Sequence, residues 1–585
     1  MKEKILHNWR IIILTILSVI FFYLYSWYPY QTAKETDFKF ASPDETANYF
    51  WTQKISGLTA GDALESRYGS VLSYFEPLNL IADDAVMPRS MRSDDGIVKP
   101  VSFLGIILIY GMLAKIFSSW IIIYLTPLFA IIGVFCFYGI IKRIFPPEPP
   151  AAKNIALLSA LMLFALAPYW YYASRSMFHN VLFIDLLLIG TWLFITGKDA
   201  ISLRIGKARI RTDFVFIFLS GIFIGLAIIA RASELIWLGL VMFICWFAYF
   251  KQIGRRKLTV FICGVVLALL PMFYYNQVLY GNWHNFGYSQ TVEQAQNEVA
   301  ADNINAVGAP AEQIRPQYAA PLKNKINKFL PAEINIKQAG KSFIYYYAII
   351  FWYLFWPAFF GGVWLSRNWK KIDKPQKLYL IVFIISSVIL GLYYGSWEIH
   401  DNPNKNSTTI GNSYTRYFLP MYIMSLPLAA LIIVKLSALL RNKYLIYGAQ
   451  AAVIIAFFVL NFQAAVLAKE EGLLVMKDNL IKDANQVKNI SSQIESEAVI
   501  ISERFDKFFW PEHKVIVGNF SDKSRPSAYA KLAEQGTPLY YYGFIFPPGD
   551  LAYLNSRKLS EFNLELEIIR LDEENRMGLY RLLSL

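Results

Sequence analysis

Two carboxylates stand side by side at Asp44-Glu45, in the string SPDETANYF, and a second acidic pair, Asp94-Asp95, follows in the same polar segment. A carboxylate within hydrogen-bond reach of a hydroxyl can take its proton as the hydroxyl attacks, and partial burial moves its pKa toward a useful value. Cations suited to a phosphate lie elsewhere in the chain. Arg231 interrupts the apolar string GIFIGLAIIARASELIWLGL, and Arg416-Tyr417 opens another apolar run in GNSYTRYFLP. Two guanidiniums at one membrane depth suit the planar, two-pronged recognition of a phosphodiester. Lys99 follows the second acidic pair and is a third cation for a phosphate. Arg175, His179 and Asn180 share the string SRSMFHNVLF, and His284 lies in GNWHNFGYSQ. Each group also has a plainer use. Asp44 can cap a helix, Asp94-Asp95-Gly96 can be a turn, and a lone histidine can be a structural hydrogen-bonder. Arg231 and Arg416 can be interfacial anchors, with Glu234 as a partner for Arg231.

The elements that must position these groups are membrane helices. The chain has 585 residues, 56% apolar and only 17% charged, and apolar runs of about 20 residues recur along it. Its net charge of +13 does not point to nucleic acid, because the basic residues fall in short loops between apolar runs, as membrane orientation requires. Twelve runs can be counted, at 9–30, 101–118, 120–145, 154–172, 178–197, 213–231, 233–250, 258–280, 342–365, 378–396, 416–436 and 445–468. The basic clusters at residues 2–10, 142–143, 198–211, 251–257, 367–377 and 441–443 share one side only if 101–118 does not cross. That run therefore reads as an interfacial or re-entrant helix, which leaves eleven spans. The N-terminal run to Tyr30 ends in aromatic residues without a small-residue cleavage site and reads as a retained span. The expected product is a multi-pass protein of the plasma membrane with a cytoplasmic N-terminus. Loops 31–119 and 281–341 and the tail then lie outside.

The fold class expected is thus all-α and polytopic over residues 1–468, with outer-face juxtamembrane helices. Residues 469–585 read as a small extracytoplasmic α/β domain, from the short β-rich runs EAVIIS, KVIVG, TPLYYYGF and LELEIIR. Cys136, Cys245 and Cys263 lie in apolar runs and offer neither a disulfide framework nor a CxxC metal site. Three outward histidines with carboxylates leave a divalent metal ion open as a cofactor, although no ligand-like spacing supports one. No glycine-rich phosphate cradle is present, so a soluble nucleotide is not expected.

In order and membrane side, these strings resemble the GT-C superfamily of polyprenyl-phosphate-sugar-dependent glycosyltransferases, nearest the protein O-mannosyltransferase and aminoarabinose-transferase branch. Asp44-Glu45 resembles the acidic pair of the family's first outer loop. Lys99-Pro100-Val101 partly matches its basic-Pro-Pro string, with Val in place of the second Pro. Ser174-Arg175 with Asn180 resembles a Ser-Arg string in which many relatives end on a carboxylate. Gly225-Leu226-Ala227 with Arg231, and Arg416-Tyr417 with Pro420, resemble two further strings. The likeness covers residues 1 to about 470, and nothing like the Trp-Trp-Asp motif of oligosaccharyltransferases occurs. It implies an inverting sugar transfer from a lipid phosphate to a hydroxyl of a protein, lipid or glycan, with Asp44 as base, Glu45 beside it as the second catalytic carboxylate, and Arg231, Arg416 and Lys99 on the phosphate. Asp94, Asp95, Arg175, His179, Asn180, Tyr417 and His284 would then line the substrate. The alternatives are a transporter of lipid-linked saccharides and a membrane assembly subunit.

Overall fold

The computed structural model describes residues 2–57, 89–94, 97–146, 155–199, 203–205, 208–210, 212–285, 287, 334–399, 401, 407–520 and 524–585. The chain forms two compact units. One comprises Met1–Pro29, Phe103–Ile106 and Ile123–Val475, and the other Tyr30–Ser102, Ile107–Ile122 and Met476–Leu585.

The first unit is a helical membrane body. Among the described residues, eight helices are each long and apolar enough to cross a membrane, and two bent helix pairs can each supply one more span. The polytopic all-α architecture expected from the sequence is present. The count falls short of eleven at one place, where Ala232–Tyr280 runs as a single 49-residue element. At 1.5 Å per residue such a helix would extend about 73 Å, more than twice the roughly 30 Å hydrocarbon core. Its backbone leaves helical conformation at Tyr249 (φ −114°, ψ 17°) and Gly254 (φ 66°, ψ 163°), among the basic residues of 251–257. Counting the two sides of that break separately adds one to the ten. Gly254 has open space where a Cβ would stand, so it is the left-handed φ that calls for glycine there. The run expected at 101–118 is a 14-residue helix, Leu104–Phe117, with a rise of about 21 Å, short of the hydrocarbon core.

One bent pair shows how the body tolerates a broken span. Helices Ile155–Ala165 and Ala167–Ser174 meet at 49°, with Leu166 at φ −57°, ψ 116° and Pro168 just beyond. A break frees backbone polar groups, which inside a membrane must find protein partners. The Ala167 N–H donates to Asn461 Oδ1 at 2.7 Å, and the Tyr353 hydroxyl donates to the same oxygen at 3.1 Å. Asn461 in turn donates from Nδ2 to the Phe457 carbonyl and is wholly buried. The second bent pair, Ile336–Ile349 with Trp352–Arg367, turns through 101°. Most of the expected outer loop 281–341 lies outside the described residues.

The second unit carries the small sheet expected near the C-terminus. Short hairpins occur earlier in the chain: β1 (Met91–Asp94) pairs antiparallel with β2 (Ile97–Pro100), and, in the other unit, β3 (Leu203–Ile205) pairs with β4 (Ala208–Ile210). The C-terminal sheet is built from β5 (Val499–Ile501), β6 (Lys514–Ile516), β7 (Leu539–Phe544), β8 (Leu564–Asp572) and β9 (Met577–Ser584), in the order β6-β5-β7-β9-β8. β5 runs parallel to β6 and β7, while β9 is antiparallel to both β7 and β8. The four β-rich runs seen in the sequence supply β5 to β8. β9 was not among them: its string MGLYRLLS has no β-branched residue and carries a glycine, so its strand propensity is weak.

Replacing Asn461 by Leu leaves the Ala167 N–H without its acceptor inside the body. A cost of about 1–3 kcal/mol is expected, read as a lower thermal midpoint of the detergent-purified protein. An unchanged midpoint would show that the broken span is satisfied some other way.

Candidate functional site

The acidic pair opens the helix Pro43–Ser56, in the second unit. Asp44 is not the cap that the plainer reading of the sequence made it. Ser42 caps this helix, and Glu45 closes a capping box by accepting the Ser42 N–H on Oε2 at 3.2 Å. Glu45 is buried and committed to that structural bond. Asp44 is half-buried, and its Oδ1 accepts the Ser90 hydroxyl at 2.5 Å. The two neighbouring carboxylates therefore make different contacts, Glu45 within the helix cap and Asp44 with Ser90.

Ser90 is itself held in place. Its neighbour Arg89 donates to the wholly buried Asp506 through Nε at 3.3 Å, through its side-chain terminus at 2.9 Å and through its backbone N–H at 2.9 Å. A fork of this kind fixes direction as well as distance. Lys39 ties the same unit together, donating to the Trp510 carbonyl at 2.6 Å and pairing with Glu512 at 2.5 Å. Asp506, Arg89, Ser90 and Asp44 thus form a chain that orients the carboxylate. Sequence reasoning missed Arg89 and Asp506, because they lie 417 positions apart. Lys99, expected at the entrance of a helix, lies instead in β2 opposite Arg92. Asp94 ends β1 opposite Ile97, and Asp95 lies outside the described residues.

The first unit gathers two of the cations expected on the phosphate, Arg231 and Arg416, into one array with Arg175, which was expected to line the substrate. Arg175 ends the helix Ala167–Ser174, Arg231 follows Thr212–Ala230, and Arg416 belongs to the short helix Ser413–Tyr417. The first two stand at helix C-termini, where exposed carbonyls favour a cation. Aromatic rings connect the three. Phe178 lies 4.7 Å from the Arg175 guanidinium and 4.8 Å from that of Arg416. Tyr417 lies 5.2 Å from Arg416 and also 5.2 Å from Arg231, and it stacks on Tyr394 at 4.4 Å. Ring faces attract guanidiniums and hold them without neutralising their charge.

Arg231 is the most firmly held of the three. Glu234, the partner suggested by the sequence, accepts from its Nε and from its terminal nitrogen, each at 2.9 Å. The same carboxylate accepts the Tyr394 hydroxyl at 2.7 Å and the Trp237 indole N–H at 2.5 Å. Arg231 also donates to the Tyr394 hydroxyl at 2.9 Å. Gly105 sits so close to the residue before Arg231 that a Cβ would fall 2.3 Å from the Ala230 backbone. Arg416 donates to Ser413 at 2.8 Å, and Asn180 Nδ2 donates to the Arg416 carbonyl at 3.0 Å. An ionised carboxylate at position 180 could not make that last bond, because it has no donor.

His179 is buried edge-on against Phe103, and His284 is exposed beside Trp283. Among the described residues, no three His, Cys, Asp or Glu side chains group closely enough to hold a metal ion. The sequence reading also passed over Asp185, an acidic residue inside the span His179–Gly197. Its Oδ1 accepts the Tyr169 hydroxyl at 2.7 Å, while Oδ2 is buried without a hydrogen bond. A single charge-bearing residue in an apolar run is the signal that would have found it.

No protein-family model matches the chain, and no curated protein sequence matches it. Among solved structures, it is similar to ArnT from Cupriavidus metallidurans, in the apo state and bound to undecaprenyl phosphate. Each is 11% identical, with 98% of both chains covered and a TM-score of 0.49. It is also similar to the Archaeoglobus fulgidus oligosaccharyltransferase complexed with zinc and sulfate. That structure is 12% identical, with 96% of this chain and 73% of the other covered and a TM-score of 0.47. At such identities, what this chain does has to be read from its own residues.

Changing Asp506 to Asn weakens the fork that fixes Arg89. Arg89 is 43% exposed, so solvent screening limits the loss to about 1–2 kcal/mol, measured by chemical denaturation. An unaltered denaturation midpoint would remove the fork from the chain that orients Asp44.

Proposed function

We propose that this chain is an integral-membrane, inverting glycosyltransferase that moves a sugar from a polyprenyl-phosphate donor to an acceptor hydroxyl on the outer face of the plasma membrane. The observation that carries the reading is the array of Arg175, Arg416 and Arg231 threaded by Phe178 and Tyr417 at the ends of membrane helices. A buried charge in a membrane body is costly and marks a candidate functional site, and Arg175 and Arg231 are both buried. Three guanidiniums in one array match the multiple oxygens of a phosphate better than any neutral ligand. The resemblance of the acidic and arginine strings to the GT-C superfamily points the same way.

In this reading the acceptor oxygen attacks the anomeric carbon as the bond from that carbon to the phosphate oxygen breaks. The configuration inverts, and the lipid phosphate leaves with the electron pair. Arg416 and Arg231 stabilise the charge that grows on the leaving phosphate, with Arg175 beyond Phe178 extending the positive field. Asp44 takes the acceptor's proton, and Ser90 fixes the orientation of its carboxylate. Glu45 serves the helix cap. We divide the chain into a transferase body, residues 1–468, and an extracytoplasmic domain, residues 469–585, with the N-terminus cytoplasmic. The acceptor is a hydroxyl of a protein, lipid or glycan.

Transfer from a radiolabelled polyprenyl-phosphate sugar tests the reading directly. Asp44→Asn keeps the shape and removes the basicity, so turnover should fall by about 10²–10⁴-fold with donor binding retained. Glu45→Gln should act mainly on stability through the cap. Equal turnover in Asp44→Asn and the parent protein would end the assignment.

Arg416→Ala should weaken donor binding, and Arg416→Lys should restore it only in part, because an ammonium lacks the planar fork. The same holds for Arg231, where loss of the Glu234 partner adds a stability cost. Unchanged donor affinity in both alanine variants would make these residues interface anchors.

A further inference from the structure

We propose that the C-terminal sheet carries a binding site for an acidic saccharide, formed between the helix Leu473–Ser491 and one face of strands β7, β9 and β8. The site is independent of the transferase chemistry proposed above. A cavity of about 350 Å³ opens there, at the small end of the range typical of ligand pockets.

The register of the sheet explains how polar groups come to line it. Along β8, Leu564, Leu566 and Ile568 pair with Ser584, Leu582 and Tyr580 of β9, and then the pairing shifts so that Arg570 faces Leu579 and Asp572 faces Met577. The extra residue, Ile569, is a β-bulge. It sends Arg570 and Asp572 to the face opposite Leu564 and Leu566, a common use of bulges beside sites. On β7, Tyr542 pairs with Leu579. Tyr542, Leu579 and Arg570 therefore stand in one row across three strands, on the cavity side. From the facing helix, Lys482, Asn485 and Asn489 project on one face at spacings of three and four residues.

Two polar atoms in this lining are buried without a hydrogen bond, Tyr542 Oη and Asn575 Oδ1. Tyr542 is 1% exposed, and its ring is fixed edge-on by Phe505 and Phe509 at 4.9 and 5.5 Å. A buried hydroxyl without a partner calls for an explanation, and a ligand oxygen supplies one. Burial holds the Tyr542 phenol well above its ordinary pKa, so it stays protonated and able to donate.

The choice of ligand follows from the balance of donors. Asp572 is already engaged: Asn575 donates to it from its backbone at 3.1 Å and its amide at 2.8 Å, and Gln486 donates at 3.1 Å. The two Asn575 bonds hold its pKa below the usual carboxylate value. Lys482 and Arg570 both act on Asp572 yet outnumber it by one charge, and the amides of Asn485 and Asn489 and the Tyr542 hydroxyl add further donors around the cavity. Side-chain amides offer both a donor and an acceptor to a sugar hydroxyl. The two cations suit a carboxylate carried on the same sugar.

The test is direct binding by calorimetry to the full-length protein in detergent, with trigalacturonate as the acidic probe. Maltotriose serves as the neutral probe and inorganic phosphate as the bare anion. Trigalacturonate should bind saturably and more tightly than either. Arg570→Gln should weaken it about tenfold, and Tyr542→Phe should weaken it measurably without lowering the thermal midpoint, because the lost hydroxyl bonds nothing in the protein. Absence of trigalacturonate binding, equal binding of maltotriose, full displacement by phosphate, or unchanged affinity in both variants would each overturn the proposal.

Discussion

Three guanidiniums held at the ends of membrane helices are the constraint around which the helical body is organised. A cation in that position is expensive unless its surroundings compensate it, and this chain compensates each one differently. Arg175 and Arg231 lie where helix carbonyls run out. Phe178 and Tyr417 hold neighbouring arginines through their ring faces, and Glu234 answers Arg231 with a fully hydrogen-bonded carboxylate. Rings leave the positive field intact, whereas a carboxylate cancels it. Glu234 offsets much of the Arg231 charge and fixes that side chain, so Arg231 gives the array rigidity.

The second unit solves a related problem with carboxylates. Asp44 and Glu45 are adjacent in the chain, yet the first turn of a helix separates their tasks. The third helical position can reach back to the cap's N–H, and Glu45 does so, while the second position points away and meets Ser90. The Arg89–Asp506 fork then links this turn to the C-terminal segment of the same unit. An acidic pair that looks redundant in sequence is one structural residue beside one candidate for chemistry.

Much of the helical body was legible beforehand, because the signals that define it are local. A run of about 20 apolar residues must cross a bilayer, and basic loops mark where it turns back. Even the 49-residue element breaks where the sequence placed a basic loop, at Gly254. The strands of the C-terminal sheet were legible where one face is polar, as in LELEIIR. β9 was not, because MGLYRLLS lacks the β-branched residues that marked EAVIIS and KVIVG.

By itself the sequence determined that this is a multi-pass membrane protein with a small C-terminal sheet. It also put forward Asp44, Glu45, Lys99, Arg231 and Arg416 as candidates for chemistry, with Arg175 among the candidates for lining a substrate. Only the tertiary structure decided that three of those arginines share one array, since Phe178 and Tyr417 touch residues from helices distant in the chain. It decided too that Ser42 rather than Asp44 caps its helix, that Asn180 serves the Arg416 carbonyl, and that a bulge at Ile569 turns Arg570 and Asp572 toward a cavity. Hydropathy and charge are properties of a segment and survive in one dimension. A hydrogen-bond partner, a ring face or a strand register belongs to two segments at once, and is fixed only when packing brings them together.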